Sequence, residues 1–246
     1  MKNQTSIVAW ALWLSLLAPL LIIVGALGAR LNAIPFDIAF GVLGTKAAGI
    51  VALGTTVLAI VAVAAALSNF KKLGATAIAA LLISGVTLAG EARFFLKAQG
   101  AIPVHDVSTN WEDPLSFSNE LMSQRLGAEN LVEDDPRAPA SAGPPWGGVR
   151  VADVNAKTCP GAKAVPHGVD PDKAVKALQA NGYAVFGAQV FLVEGTHTGD
   201  WFGAADDIIV RIRPERTDVR SIRRNGLSDY GENCARVTRI VQALSK

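Results

Sequence analysis

Acidic residues are almost absent from the first 97 positions of this 246-residue chain. Asp37 and Glu91 are the only two, so 19 of the 21 acids lie in the remainder. Three stretches, 7–27, 47–67 and 74–90, contain no Asp, Glu, Lys or Arg. Such stretches cannot form the surface of a water-soluble domain, and the first two, at 21 residues each, are long enough to cross a hydrocarbon core as helices.

The uncharged stretches predict a membrane protein with three transmembrane helices in residues 1–97, at about 7–27, 47–67 and 74–96. A cleaved signal peptide is the alternative for the first stretch, because small residues follow it. Its apolar run is about twice the usual signal core, however, which favours an uncleaved helix. We expect Pro19 to kink this helix, because proline cannot continue the helical hydrogen bonds.

The polar remainder divides into two parts by composition. Residues 98–168 are first acidic and then rich in Pro and Gly, which predicts a loop region of the soluble domain. Residues 169–246 carry the clearer helix and strand patterns and predict an α+β core.

The orientation rests on the short loops, whose two sides carry nearly equal numbers of Lys and Arg. We give most weight to the Lys71-Lys72 pair, because it lies in the tightest loop and is the hardest to translocate. The raw count, three against four, slightly favours the opposite orientation, but the weight given to this pair predicts a multi-pass protein of the cell inner membrane with its C-terminal domain in the periplasm.

Cysteine is scarce, and both copies, Cys159 and Cys234, lie in the polar domain. An even number of cysteines outside the cytoplasm permits one disulfide. The alternative is that Cys234 is simply a small apolar side chain on the buried face of a helix. The sequence leaves both interpretations open.

The motifs that would name a reaction are also missing. No Gly-rich phosphate loop, nucleophile elbow or zinc-binding helix motif occurs. The three histidines, His105, His167 and His197, lack ligand spacing with either cysteine. The net charge of +2 gives no reason to expect a nucleic-acid partner. We therefore expect no catalysis, no metal and no cofactor.

From Asp170 onward the chain predicts helix, about four antiparallel strands, helix, which is a small α+β sandwich. Asp170 is placed to cap a helix whose first residue is Pro171. Alternating and apolar patterns then predict the strands. Their expected ranges are 183–187, 189–195, 207–213 and 218–223.

The last helix is expected to begin at Ser228 or Asp229, with Glu232 as a reciprocal cap. Helical spacing predicts that one side of it is buried, and this side leaves out Arg236 and Arg239. The residues on the buried side are Tyr230, Cys234, Val237, Val241 and Leu244.

Arginines concentrate on the last two predicted strands and in the loop after them. Guanidinium groups bind phosphates and carboxylates in a bidentate manner, so Arg211, Arg213 and Arg220 are candidates for binding an anionic head group. The alternative is a ladder of ion pairs across and beside the strands. That ladder would use Arg211, Arg213, Arg220, Arg223 and Arg224 with Asp206, Asp207, Asp218 and Asp229.

Trp201 and Phe202 precede the most clearly patterned strand. An exposed aromatic pair could enter a membrane interface or cover a ligand, which makes both residues candidates for apolar contact with a ligand. The alternative is that both side chains are buried in the core at the beginning of the strand. The neighbouring pair Asp206-Asp207 is not expected to share a metal ion, because adjacent strand residues point to opposite faces.

Three segments resemble the domain of unknown function 1499 family. The first is Val104-His105-Asp106-Val107-Ser108-Thr109 with Glu112-Asp113-Pro114, and the second is Trp201-Phe202-Gly203 with 206–214. The third is Asp218-Val219-Arg220-Ser221 with Ser228-Asp229, Gly231-Glu232-Asn233 and Ala235-Arg236. The resemblance implies a fold and a membrane-associated setting but no activity.

Two functions follow as hypotheses. The first is a non-catalytic module that binds a lipid or another amphipathic anionic ligand at the membrane surface, so that membrane lipids are the partners. The second is a structural or assembly subunit of a membrane complex, with another membrane protein as partner. Small residues four apart within 75–89 and the long loop 110–148 suggest the second hypothesis.

Overall fold

The computed structural model describes residues 2–246 and divides them into two compact units. The helical unit comprises residues 2–100 with Trp201–Gly203, and the polar unit comprises Ala101–Asp200 with Ala204–Lys246.

The helical unit consists of apolar helices packed through small residues. Its elements are α1 Lys2–Ser15, α2 Leu17–Arg30, a π-helix Asp37–Ala47, α3 Ala48–Ala66, a 3-10 turn Leu67–Asn69 and α4 Phe70–Gln99. Helices α1, α3 and α4 pack against one another around a core that consists largely of alanines. The break between α1 and α2 precedes Pro19, which has no N–H to donate to the carbonyl of Ser15.

Two helical segments, Asn3–Arg30 and Asp37–Gln99, are long and apolar enough to cross a membrane on length and composition alone. The prediction of three separate transmembrane helices is therefore wrong. The second and third predicted spans both fall within Asp37–Gln99, where the polar residues after Leu67 continue in helical turns instead of forming a loop. Asn69, with φ −144°, interrupts the helical backbone between α3 and α4.

The polar unit contains a five-stranded antiparallel sheet in the order β1-β5-β4-β3-β2. The strands are β1 Asp106–Ser108, β2 Ala184–Gln189, β3 Leu192–Thr198, β4 Ala205–Arg213 and β5 Arg216–Arg223. The expectation of about four strands missed β1, which lies in the segment predicted as loop. A strand of three residues is too short to display an alternating pattern.

Four α-helices and a 3-10 turn, Ala140–Ala142, complete the polar unit; the α-helices are α5 Asn119–Gln124, α6 Val151–Thr158, α7 Pro171–Ala180 and α8 Glu232–Leu244. Asp170 caps α7 by accepting a hydrogen bond from the N–H of Asp172, and Pro171 opens the helix. Helix α8 begins later than expected, because Tyr230 and Gly231 have φ of 55° and 79°, which a right-handed helix cannot include. Asp229 instead accepts hydrogen bonds from the N–H groups of Gly231 and Asn233.

The sheet is covered on both faces. On one face Ile208, Val210 and Val219 pack with side chains of α7 and α8. On the other face Ile209 and Ile222 pack with a cluster from the segment 110–135, consisting of Leu115, Phe117 and Leu121. Burial on both faces explains the continuous apolar run in the middle of β4.

Candidate functional site

Three arginines gather where β4 ends and β5 begins, on the face of the sheet that the segment 110–135 covers. Arg211 and Arg213 belong to β4, and Arg216 belongs to β5. In the register of these strands Arg211 lies opposite Asp218, and Arg213 lies opposite Arg216. We call Arg211, Arg213 and Arg216 the arginine cluster.

Asp218 is the buried centre of the cluster. Its carboxylate accepts hydrogen bonds from Arg213 Nη2 at 2.7 Å and from Arg216 Nε at 2.7 Å. Arg211 Nη2 and Asn110 Nδ2 lie at 3.4 and 3.3 Å from the same carboxylate. Burial would raise the pKa of Asp218, but the hydrogen bonds from Arg216, Arg213 and Asn110 outweigh it and lower the pKa. Asp218 is therefore ionised and fixes the three guanidinium groups.

Asp113 is the outer carboxylate of the cluster. It lies 2.8 Å from Arg213 Nη1 and 3.1 Å from Arg211 Nη2, and its side chain is 56% exposed. The hydrogen bond from Arg213 and the charge of Arg211 lower the pKa of Asp113. Three guanidinium groups thus face two carboxylates, one of them at the surface, and the cluster retains one positive charge.

The cluster also has more hydrogen-bond donors than acceptors. The Nε atoms of Arg211 and Arg213 are buried and have no hydrogen-bond partner among the described residues. The side chains of Arg211 and Arg213 are 21% and 36% exposed, so part of each guanidinium group reaches the surface. The arrangement can accept an anion in place of Asp113 without losing the buried partner Asp218.

Arg220, the third arginine of the predicted site, is fully buried. Its Nε and Nη2 donate to the two carboxylate oxygens of Asp106, at 3.1 and 2.7 Å. Nη1 donates to the carbonyl of Leu115, and Nη2 also donates to the carbonyl of Glu133. Its guanidinium lies 5.2 Å from the centre of the Trp111 ring. The structure therefore places Arg220 on the same face as Arg211 and Arg213 but in the interior, where it joins β1, β5 and the covering segment.

Arg223, at the end of β5, and Arg224, just after it, form the expected ion pairs with Asp206 and Asp207, on opposite faces of the sheet. Asp207 lies between Arg125 and Arg224 on the face with the arginine cluster. Asp206 pairs on the opposite face with Arg223 at 2.8 Å, and Arg236 Nη1 also lies 2.8 Å from its carboxylate.

The expectation that Arg236 falls outside the buried side of α8 is wrong. The apolar residues of α8 determine which side of the helix faces the core. Asp206, 30 residues earlier, supplies the charge that allows Arg236 to be buried there.

Trp201 and Phe202 group with the helical unit, not with the arginines. The Phe202 ring packs edge-on against Phe40, with ring centres 5.1 Å apart. It also lies so close to Gly44 that a side chain at that position would collide with it. Trp201 is 66% exposed. Both residues precede β4, whereas Arg211 and Arg213 are in the last part of that strand.

An exposed apolar surface that the sequence analysis missed lies next to the arginine cluster. The turn between β2 and β3 consists of Val190 and Phe191, which are 81% and 60% exposed. The carbonyl of Phe191 accepts a hydrogen bond from the N–H of Ile212, between Arg211 and Arg213, at 2.8 Å. We call Val190 and Phe191 the hairpin tip. The sequence pattern predicts both residues within the strand 189–195, where apolar residues are expected to be buried.

His105 and His197 lie apart from the arginine cluster, whereas the carbonyl of His167 accepts a hydrogen bond from Thr217, the residue after Arg216. His105 lines a cavity of about 250 Å³ together with Leu131 and Leu227. Burial lowers the pKa of His105, and burial followed by the charge of Arg236 lowers the pKa of His197. Among residues 2–246, no group of three His, Cys, Asp or Glu side chains is arranged to hold a metal ion.

The two cysteines are joined in a disulfide, which connects the residue after α6 to the first turn of α8 across 75 positions of sequence. Cys159 is buried in the core between the sheet and the helices, and Cys234 packs against it. The cross-link therefore fixes the segment after α6 to the helical layer of the polar unit.

Residues 106–244 match the model of a family described as a protein of unknown function, DUF1499. The chain belongs to the DUF1499 family. The match begins at β1 and ends in α8, so the DUF1499 domain contains the whole sheet, the arginine cluster and the disulfide. No curated protein and no solved structure matches the chain.

Proposed function

We propose that the DUF1499 domain of this chain binds anionic amphiphiles at a membrane surface, with Arg211, Arg213 and Arg216 holding the anionic head group. The observation that carries the proposal is the excess of one guanidinium over carboxylates in a partly exposed cluster. Phosphate is a suitable ligand, because its oxygens match the paired donors of arginine.

Asp113 gives the cluster a replaceable anion. Its carboxylate is at the surface and occupies donors of Arg211 and Arg213 that face outward. A phosphate group in the same position would carry a similar charge and more acceptor oxygens, and Asp218 would keep the guanidinium groups in place. Binding therefore requires the displacement of Asp113 from two partly exposed ion pairs, which contribute little to stability.

The membrane setting is supported by the surface of the helical unit. Its helices expose large apolar side chains along their length, among them Ile50, Leu53, Val57, Leu82 and Val86. Water would penalise such a surface, whereas lipid chains would not. The disulfide supports an oxidising compartment for the DUF1499 domain, which agrees with the proposed location in the periplasm at a cell inner membrane.

The test is a vesicle-binding measurement on the full chain held in nanodiscs of phosphatidylcholine. Vesicles with and without phosphatidylglycerol are added and separated by flotation. We expect Arg211→Gln with Arg213→Gln to lower the affinity for the anionic vesicles roughly tenfold to thirtyfold, since each cation near such a surface contributes about 1 kcal/mol.

The charge-matched control is Arg150→Gln with Arg239→Gln. Arg150 forms an exposed pair with Asp135, and Arg239 donates to Asn181, so neither belongs to the arginine cluster. If both double variants lose the same affinity, the effect is one of net charge and the proposed site is wrong.

A second candidate function is assembly with another membrane protein through α4. The small residues Ala77, Ala80 and Ser84 face the interior of the helical unit, but a side chain added at Gly85 would meet nothing within 4 Å. This open side permits close approach of a partner helix. Gly85→Leu should release such a partner during co-purification, and Ala80→Leu, which points inward, should instead destabilise the bundle.

A further inference from the structure

The hairpin tip is an exposed apolar projection at the end of β2, an edge strand of the sheet in the DUF1499 domain. Val190 and Phe191 occupy the two turn positions, where the residues are normally polar or glycine. They are among the most exposed large apolar side chains of the polar unit, and Phe186 in β2 is also exposed. Their exposure at a turn position is not required by the fold, because the sheet below is already covered on both faces.

The position of the tip relative to the arginine cluster indicates its partner. Leu192, the residue after Phe191, lies opposite Arg211 in the register of β3 and β4. The main chain of Phe191 is hydrogen-bonded to that of Ile212, so the tip and the cluster belong to the same end of the sheet. A partner that touches both must be apolar inside and negatively charged at its surface.

An anionic bilayer has both properties, with negative charge at its surface and apolar chains beneath it. Its phosphates lie at the surface, and aromatic and aliphatic side chains enter the region just below. A second copy of this chain is less suited, because the tip would carry the positive cluster of one copy towards that of the other.

We propose that the hairpin tip inserts into the interfacial region of an anionic bilayer while the arginine cluster contacts the phosphates. This inference rests on the proposed function and adds the second contact, which converts head-group binding into binding of a lipid surface. Phe191 and Val190 are then the residues that distinguish a bilayer from a free phosphate.

Insertion is measured with an environment-sensitive fluorophore on Val190→Cys in the full chain, held in phosphatidylcholine nanodiscs. The native cysteines are joined, so position 190 is the free thiol. Phosphatidylglycerol vesicles should shift the emission to the blue, and brominated acyl chains should quench it. The control label is Gln179→Cys, in the last turn of α7, which leads to the opposite end of β2.

The emission of the control label should change neither with phosphatidylglycerol vesicles nor with vesicles that carry brominated acyl chains. An unchanged emission at position 190 when anionic vesicles are bound would overturn the inference. So would an equal response at position 179, or a blue shift that depends on protein concentration and not on vesicles, which would show contact between copies.

The affinity measurement separates this inference from the proposed function. Val190→Ser with Phe191→Ser should weaken binding to phosphatidylglycerol vesicles about tenfold and leave binding of inorganic phosphate unchanged. If this variant binds vesicles like the wild type while Arg211→Gln with Arg213→Gln does not, the tip inference alone fails. If neither variant loses affinity, the proposed function fails as well.

Discussion

Arg220 of β5 and Asp106 of β1 form a buried, two-point ion pair that attaches the short edge strand to the sheet. Both oxygens of Asp106 accept hydrogen bonds from Arg220, and both side chains are shielded from water. Strand β1 has three residues, so few backbone hydrogen bonds hold it. The pair also explains why Arg220 cannot serve as an exposed ligand residue.

The first prediction concerns this pair. Arg220→Gln removes the buried cation and leaves Asp106 without its charge partner, which typically costs about 3–5 kcal/mol. Urea unfolding of the full chain in mild detergent, followed by tryptophan fluorescence, measures the loss, because one of the five tryptophans, Trp111, lies beside Arg220.

Arg150→Gln is the comparison, because it breaks an exposed ion pair and should leave the unfolding curve nearly unchanged. If Arg220→Gln leaves the unfolding curve unchanged but abolishes vesicle binding, then Arg220 is a ligand residue and its structural assignment is wrong.

The second prediction concerns the disulfide. Closing 75 residues with a cross-link restricts the unfolded chain, so Cys159→Ala with Cys234→Ala should lower the free energy of unfolding by roughly 2–4 kcal/mol. Reduction of the wild type should produce a similar loss in urea, whereas reduction of the double variant should change nothing. Equal stability of oxidised and reduced wild type would show that the cross-link contributes little.

The third prediction concerns Asp229, where burial raises the pKa to about 6. An unfolded Asp has a pKa of about 3.9, so the folded state keeps its proton more tightly and loses relative stability as the pH rises from about 4 to 6. Asp113 and Asp218 act in the opposite direction, because their pKa values are lowered and their contributions are lost as the pH falls.

Asp229→Asn isolates the effect of this one carboxyl. At each pH, urea unfolding gives the free energy of unfolding of the variant minus that of the wild type. This difference should rise by about 2 kcal/mol from pH 4 to pH 7. A difference that stays constant with pH would show that Asp229 is ionised in the folded protein at pH 5.

The elements predicted from the sequence were those with complete local signals. Asp170 and Pro171 together define the beginning of α7, and the alternation in 207–213 identifies β4 and the faces of its side chains. The ion pairs of Asp206 and Asp207 with arginine were also expected. In these cases the interacting groups are neighbours in sequence or lie on adjacent strands.

The features that were missed depend on distant partners. The burial of Arg236 requires Asp206 on another element, and β1 is defined only by its pairing with β5. The exposure of Phe191 cannot be read from its neighbours, because an apolar residue at the end of a strand usually indicates burial. The prediction of separate transmembrane helices failed where polar residues after Leu67 remained in helical turns.

The most direct test of the central claim is native mass spectrometry of the full chain with short-chain phosphatidylglycerol, comparing three proteins. The claim predicts that Asp113→Asn, which frees Arg211 and Arg213 from their surface carboxylate, binds the lipid about fivefold more tightly than the wild type. Arg211→Gln with Arg213→Gln should bind it more weakly. Lipid bound equally by all three proteins would contradict the claim, because the arginine cluster would then make no contribution to binding.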